Sequence, residues 1–395
     1  MTIDNDPAVL QIFDTAPPPT NVGRLLLQLF RDHRMAVLGA MVIALFVLVA
    51  ATAPLLERWV GHDPEAQDVF HRFEKPMTYV DLNFLDKKKS LTDYFQQNPE
   101  EASRILQSVR QTPAFSASDL DSLPVTMALM ETQLLLEKLK ELSLPKDFKR
   151  LTKRFQRYHL LGTDELGRDV FVRLIYGTRV SLGVGVLVAL LSALVGLLVG
   201  CLAGFYGGPL DAILMRVTDS LLSLPLLPVL IVIAAVDFGK VPVLKNLITP
   251  NNQAVMKLVV ILCLFSWMWV ARLVRSSVMA LKDREFVLAA RSLGATDIHI
   301  ITRHMIPNVI APLLVAVTLG VGESILFEAA LSYLGLGIQP PTPSWGNMLF
   351  NAQEIIYQAP GLAILPGLLI IATTISFNYI GDGLQAAIDP KALKR

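Results

Sequence analysis

Six stretches of this chain are each apolar for long enough to cross a lipid bilayer, and few folds are open to such a sequence. They run over Met35–Leu56, Val180–Gly204, Leu221–Val236, Leu258–Val274, Asn308–Ile325 and Gly361–Ile380. A helix rises about 1.5 Å per residue, so roughly 20 residues cover a hydrocarbon core about 30 Å thick. No water reaches the backbone N–H and C=O groups there, and stretches of this length satisfy them as helices. Composition agrees: 53% of the 395 residues are hydrophobic and 17% are charged, against about a quarter charged in soluble domains. The expected class is an all-α polytopic membrane protein with six transmembrane helices. A net charge of +1 supplies no basic face for nucleic acid. Cys201 and Cys263 both fall inside apolar runs, which points to neither a disulfide framework nor a thiolate metal site.

Charge placement orients the spans. With the N-terminus inside, the short cytoplasmic segments carry Arg24, Arg31, Arg34, Arg216, Arg272, Arg275, Lys282, Arg284, Arg291, Arg303, Lys391, Lys394 and Arg395. The short outer loops carry Lys240, Lys245 and Lys257, the asymmetry of the positive-inside rule. Both termini are then cytoplasmic. The divisions are a cytoplasmic tail over 1–34, a first span over 35–56, an extracytoplasmic region over 57–179 and a five-span core over 180–395. Ile325–Gly337 reads either as the end of the fifth helix or as a separate half-span. Ala51–Ala53 imitates a signal-peptidase site, but the apolar run starts behind a tail with acids and Pro17–Pro19. It reads as a retained anchor.

The one large polar segment lies between the first two spans. Asn98 is placed as an N-cap, with Pro99 at the first helical position and Glu100 and Glu101 in the first turn. Pro124–Leu142 has helical periodicity, but its charges exclude a span. Residues 77–157 therefore read as a small helical outer subdomain. It holds 13 Lys and Arg against 11 Asp and Glu, a near-balance that predicts no electrostatic attraction.

Several motifs bear on chemistry. Gly162–Asp169, GTDELGRD, has nearly the spacing of a phosphate loop, but Arg168 stands for the lysine and Asp169 for the Mg²⁺-binding hydroxyl. Its two carboxylates would repel a triphosphate. The histidines are scattered without metal-ligand spacing, and no catalytic cluster appears. The second span places Ser192, Gly196, Gly200 and Gly204, then Gly208, four residues apart, a stripe that admits another helix backbone, within the chain or from a second subunit. Glu323 and Glu328 are acids in or near the fifth span; each must face a polar cavity, a partner or the interface, and a place on the translocation path and a structural hydrogen bond to a neighbouring helix are both open readings. Pro225 and Pro228 suggest a broken third span lining a path.

Between the fourth and fifth spans lies a charged segment, REFVLAARSLGATDIHIITRHMIPN, from Arg284 to Asn308. Phe286, Ala289, Ala290 and Leu293 share one helical face. Gly294 ends that helix, Thr296 can cap the next, and Ile298, Ile301 and Met305 form its apolar stripe. Pro307 closes the segment. Such a hairpin suits either a helix that docks in a partner's groove or one lying on the lipid interface.

The segment resembles the cytoplasmic coupling loop of ABC importer permeases, with pattern Glu-Ala-Ala-x3-Gly-x9-Ile-x-Leu-Pro. Ala289, Ala290, Gly294 and Pro307 fall on that pattern, Ile306 stands for the leucine, Leu288 for the glutamate and His304 for the isoleucine. Four further stretches resemble the C-type permeases of dipeptide, oligopeptide and nickel importers: FRDHRMAVLGAMV, LLGTDELGRDVFVRLIYGTRVSLGVGV, FEAALSYLGLGIQPPTPSWGNML and FNYIGDGLQAAIDP. The resemblance implies the type I permease fold, a sister permease, two ATP-hydrolysing subunits and an extracytoplasmic solute-binding protein. ATP and Mg²⁺ would sit on the ATPases, with no cofactor and no catalytic residue on this chain. It implies peptide import across a bacterial inner membrane, coupled through 284–307. Nickel or another chelated solute is the alternative, and a secondary transporter using Glu323 and Glu328 a more distant one. In the family pattern the stretch like His62–Pro76 runs almost directly into that like His159–Asp169, so 77–157 is an insert.

Overall fold

Each apolar stretch becomes helix, but one of them breaks. The computed structural model describes residues 33–61, 63–110, 122–140, 142, 144–236, 253–350 and 352–388. Most of the tail assigned to 1–34, with Arg24 and Arg31, lies outside the described residues, as do Lys240, Lys245, Lys391, Lys394 and Arg395. The chain divides into two compact units, 53–174 and 1–52 together with 175–395.

The larger unit is helical. Its long helices are α1 (Arg34–Val60), α7 (Val170–Tyr206), α10 (Gln253–Lys282), α13 (Ile306–Tyr333) and α15 (Gly361–Ile388). The first and second of these run on into the other unit. Between α7 and α10 come α8 (Gly208–Leu222) and α9 (Leu226–Ala234); between α10 and α13 come α11 (Glu285–Ser292) and α12 (Asp297–Ile300); a short α14 (Ala352–Ile355) precedes α15. Among the described residues five helices are long and apolar enough to cross a bilayer, and the pair α8–α9, bent by 86°, makes a sixth crossing if counted as one.

The break falls where Pro225 and Pro228 suggest one, and the third crossing is the bent pair α8–α9 rather than Leu221–Val236 alone. Pro225 pushes Leu224 out of the helical region, so α8 stops at Leu222 and α9 restarts after Pro225. Pro228 sits in the first turn of α9, where the missing N–H costs nothing. Nine residues rise about 14 Å, under half the hydrocarbon thickness. Arg275 of α10 grips Asp211 of α8 through two hydrogen bonds, Nε–Oδ1 at 2.5 Å and Nη2–Oδ2 at 2.6 Å. The stretch after Ile325 continues the fifth helix without a break. It ends where the Leu336 N–H bonds back to the Leu331 carbonyl at 2.8 Å, the six-residue closure that ends helices before a glycine.

Helix α7 meets α10 along the small-residue stripe. A Cβ built on Gly196 would lie 2.6 Å from Val270 Cβ and 2.9 Å from the Trp267 carbonyl oxygen. On Gly200 it would lie 2.6 Å from the Ala271 carbonyl oxygen, and on Gly204 2.8 Å from that of Arg275. The partner of the stripe is thus within the chain, and the obstacle at each position includes backbone, which cannot rotate away.

The smaller unit holds the insert. Strand β1 (Thr78–Asp81) pairs antiparallel with β2 (Gln156–His159), with Thr78 opposite His159 and Asp81 opposite Gln156. Between them run α2 (Phe84–Gln97), α3 (Pro99–Arg110), α4 (Leu123–Leu129), α5 (Thr132–Lys138) and α6 (Lys146–Lys153). The strand pair is an addition to the all-helical subdomain that the sequence suggests. Helix α3 does start at Pro99 with Glu100 and Glu101 in its first turn. Asn98, however, turns its side-chain amide back to the Tyr94 carbonyl at 3.1 Å. Leu91, Ile105, Met127, Leu135, Phe148 and Phe155 pack in one core.

The periodic stretch Pro124–Leu142 is two helices here, parted at Met130–Glu131. The buried Lys87 ammonium donates to the Met130 carbonyl at 3.0 Å and to Asp81 Oδ2 at 2.9 Å, and the same oxygen accepts the Thr132 N–H at 2.7 Å. One ion pair from the base of the insert therefore satisfies the backbone groups that the helix break exposes. Burial pushes the Asp81 carboxyl up, but the Lys87 hydrogen bond and charge and the Thr132 amide outweigh it and hold it below its ordinary 3.8.

Gly200→Val should force α7 and α10 apart and lower stability by about 1–3 kcal/mol, read as a lower melting temperature in detergent. Gly183→Ala, whose Cβ would meet nothing within 4 Å, is the silent control. Lys87→Met should cost the insert about 2–3 kcal/mol by stranding Asp81 and the Met130 carbonyl. A depressed carboxyl pKa stabilises the fold above the unfolded value and loses that contribution as pH falls through the folded value. Wild-type 77–157 should therefore resist thermolysin at pH 7 and yield to pepsin only below about pH 4. The variant should be cut faster at pH 7, with a flatter acid dependence.

Candidate functional site

The hairpin after α10 is built by local rules. Helix α11 closes when the Ala295 N–H reaches the Ala290 carbonyl at 3.0 Å, across Gly294 at φ +83°. Left-handed φ is open to glycine at little cost and shut to β-branched residues. Thr296 then caps α12, its hydroxyl accepting the His299 N–H at 3.4 Å. Residues Ile301–Met305 form a π turn, and Pro307 sits in the first turn of α13.

The hairpin has two apolar faces. Val287, Ile300 and Met305 are fully buried, in one cluster with Cys201, Phe205, Val274, Val278 and Val309 from α7, α10 and α13. Ala290 and Ile301 are partly buried against that cluster. Phe286 and Ala289 are exposed, and Leu288, Leu293 and Ile298 remain 47%, 88% and 72% exposed. The face read from the sequence, Phe286 to Leu293, is therefore mainly the uncovered one; Val287 holds the hairpin to the bundle. The stripe Ile298–Ile301–Met305 is also corrected. A π turn advances less per residue than an α turn, and this rotates Met305 toward Ile300 and away from Ile298. Only the tertiary register reveals Ile300 as the buried residue.

The two acids of the fifth span part company. Glu328 is fully buried. Ser332 and Ser344 donate to its Oε1 at 2.9 and 2.8 Å, and Ser181 of α7 donates to Oε2 at 3.1 Å. Each serine oxygen in turn accepts a backbone N–H: Ile338 at 3.1 Å, Asn347 at 3.0 Å and Trp345 at 3.1 Å. Three amides of the segment after α13 are thus relayed onto one carboxylate, which makes Glu328 a tie between that segment, α7 and α13. Of the two readings open to it, a place on a path or a structural hydrogen bond to a neighbouring helix, these serines supply the second. Glu323 is exposed and borders a cavity of about 220 Å³ lined also by Ser192, Ser266, Trp269 and Ser324. Pro225 and Pro228 lie at the α8–α9 bend, outside that lining.

The phosphate-loop look-alike is a turn tied to residues 68–74: the Glu74 N–H donates to Thr163 Oγ1 at 2.8 Å and the Asp68 N–H to the Leu166 carbonyl at 3.0 Å. Asp164 accepts from the N–H groups of Leu166 and Arg168, each at 2.9 Å, and from Arg168 Nε at 2.7 Å. Asp169 accepts the Val172 N–H at 2.8 Å at the start of α7 and lies 2.7 Å from His159 Nδ1. Both carboxylates are engaged in holding the turn.

Comparison with known proteins places these elements. Residues 196–394, which include the hairpin, match the family described as binding-protein-dependent transport system inner membrane component. Residues 22–76 match the N-terminal transmembrane domain of oligopeptide transport permease C. The insert 77–157 lies outside both. The glutathione transport system permease of Pectobacterium atrosepticum is 39% identical over 245 residues, 62% of this chain and 77% of that one. The dipeptide transport system permease of Alkalihalophilus pseudofirmus is 40% identical over 233 residues, 59% of this chain and 72% of that one. Among solved structures, an inward-facing MetNI methionine ABC transporter aligns over 55% of this chain and 98% of that one, at TM-score 0.44 and 18% identity. With half its length matched and relatives this similar, the chain belongs to the binding-protein-dependent inner membrane components, the permeases of ABC importers.

Proposed function

We propose that this permease moves peptides inward across the bacterial cytoplasmic membrane, and that the hairpin 284–307 receives the motion of an ATP-hydrolysing partner. The uncovered apolar face of Phe286, Leu288, Leu293 and Ile298 carries the reading. Burying one such side chain is worth about 1.5–3 kcal/mol, so a partner groove gains much by covering the face. Val287, Ile300 and Met305 bind the other side of the hairpin to α7, α10 and α13. A push on the uncovered face therefore reaches three spanning helices through close-packed side chains.

The remaining assignments follow the same reading. A sister permease completes the pathway, two ATPases carry ATP and Mg²⁺, and an external binding protein delivers solute. Both termini are cytoplasmic, the α8–α9 pair counting as one crossing, with the cations of Arg284, Arg291 and Arg303 inside. Relatives named for glutathione and dipeptide transport favour a peptide over a chelated metal. Gly196, Gly200 and Gly204 serve packing within the chain.

Two experiments test this. A Cβ on Gly294 would meet nothing within 4 Å, so a substitution there acts through backbone conformation alone. Gly294→Val should assemble normally yet lose uptake and binding-protein-stimulated ATPase activity by about tenfold or more, since the left-handed conformation costs about 1–2 kcal/mol. Gly294→Asn, which tolerates that conformation, should retain most activity. Normal uptake by the valine variant would show that the hairpin is not the coupling element. For orientation, with Cys201 and Cys263 replaced by serine, Lys89→Cys should react with an impermeant thiol reagent outside intact cells and Thr296→Cys should not. External labelling of Thr296→Cys would overturn the topology.

A further inference from the structure

Helix α6 divides its residues cleanly by chemistry. At 3.6 residues per turn, Lys146, Lys149, Arg150, Lys153 and Arg154 fall within an arc of about 140°. Phe148, Leu151, Thr152 and Phe155 take the opposite side. Phe148, Thr152 and Phe155 are at most 1% exposed, whereas all five cations are exposed. Arg150 lies 3.7 Å from Asp147, both side chains more than three-quarters exposed, a contact worth little. Among the described residues, Lys146, Lys149, Lys153 and Arg154 have no carboxylate partner.

The near-neutral total of the insert conceals this. Residues 146–157 carry six cations against the single carboxylate of Asp147, while 77–145 carry seven against ten. The expectation of no electrostatic attraction, drawn from the total, is corrected by the segregation. Like charges on successive turns repel, and the core that α6 completes lies on its other face, so the cations add nothing to that core; those in the last turn gain only the small favourable interaction of a cation with a helix C-terminus.

We infer that the cationic face of α6 is a docking surface for an acidic patch on the solute-binding protein. The inference rests on the permease reading above, in which 57–179 is external and a binding protein delivers the solute. The buried face decides against lipid: a basic helix that lies on a membrane sinks its apolar side into it. Here Phe148 and Phe155 are already committed to the insert's core, and charge alone is left to meet a partner. A charged surface of this kind steers encounter and sets the salt dependence of association.

The test uses the assembled transporter, with its permeases and ATPases in nanodiscs, titrated with its binding protein at about 50 mM and about 300 mM salt. Lys149→Glu, Arg150→Glu and Lys153→Glu together should raise the half-maximal stimulating concentration roughly tenfold at low salt and flatten its salt dependence. Maximal and basal ATPase rates should stay unchanged. The corresponding triple glutamine variant should fall between, which separates charge from any local unfolding. Equal half-maximal concentrations in wild type and variants, with the wild type stimulated normally, would overturn this inference alone. An effect present in nanodiscs with phosphatidylglycerol and absent in purely zwitterionic ones would assign the face to lipid and also overturn it. A wild-type complex that its binding protein fails to stimulate would overturn the permease reading, and this inference with it.

Discussion

Helix α7 approaches α10 until side chain meets backbone, and the anchor of the hairpin is built on that contact. In lipid the hydrophobic effect does not hold helices together, and close packing must do so instead. Gly196, Gly200 and Gly204 bring α7 against the carbonyls of Trp267, Ala271 and Arg275 and the side chains of Val270, Val274 and Val278. The same valines continue into the cluster that receives Val287, Ile300 and Met305 of the hairpin. The packing that joins two spanning helices is thereby also the packing that holds the hairpin.

A second constraint acts where chain leaves helix. The segment after Tyr333 carries backbone amides with no helical partner, and burying them unmet would cost about 1–3 kcal/mol each. Three are met by serines, and the serines by Glu328. An acid that looked like a transport residue thus fixes a connection, and Trp345 is anchored through its own amide to Ser181 of α7. Glu323, five residues earlier, has no such set of donors among the described residues, borders a cavity and is exposed.

The insert shows the same economy in a smaller unit. Its base is a two-stranded clasp, its interior a single aromatic and aliphatic core, and the break in its central helix is closed by Lys87 and Asp81. With these demands met internally, the outer face of α6 is free to carry charge for a partner.

The sequence by itself determined the helical class, the number of apolar stretches, the glycine stripe and the hairpin's joints, because each rests on a local rule. Apolar length decides a span, spacing by four decides a small-residue stripe, and Gly294, Thr296 and Pro307 each act on the nearest turn. Tertiary structure decided which faces are covered. The π turn at Ile301–Met305 shifts register by less than a residue's spacing, and the exchange of Ile298 for Ile300 at the buried position follows from it. The break at Met130 depends on Lys87, 43 residues away, and the tie at Glu328 on Ser181, 147 residues away. No periodicity spans such distances. A carboxylate's partners and a helix's uncovered side are set by what the rest of the chain brings against them.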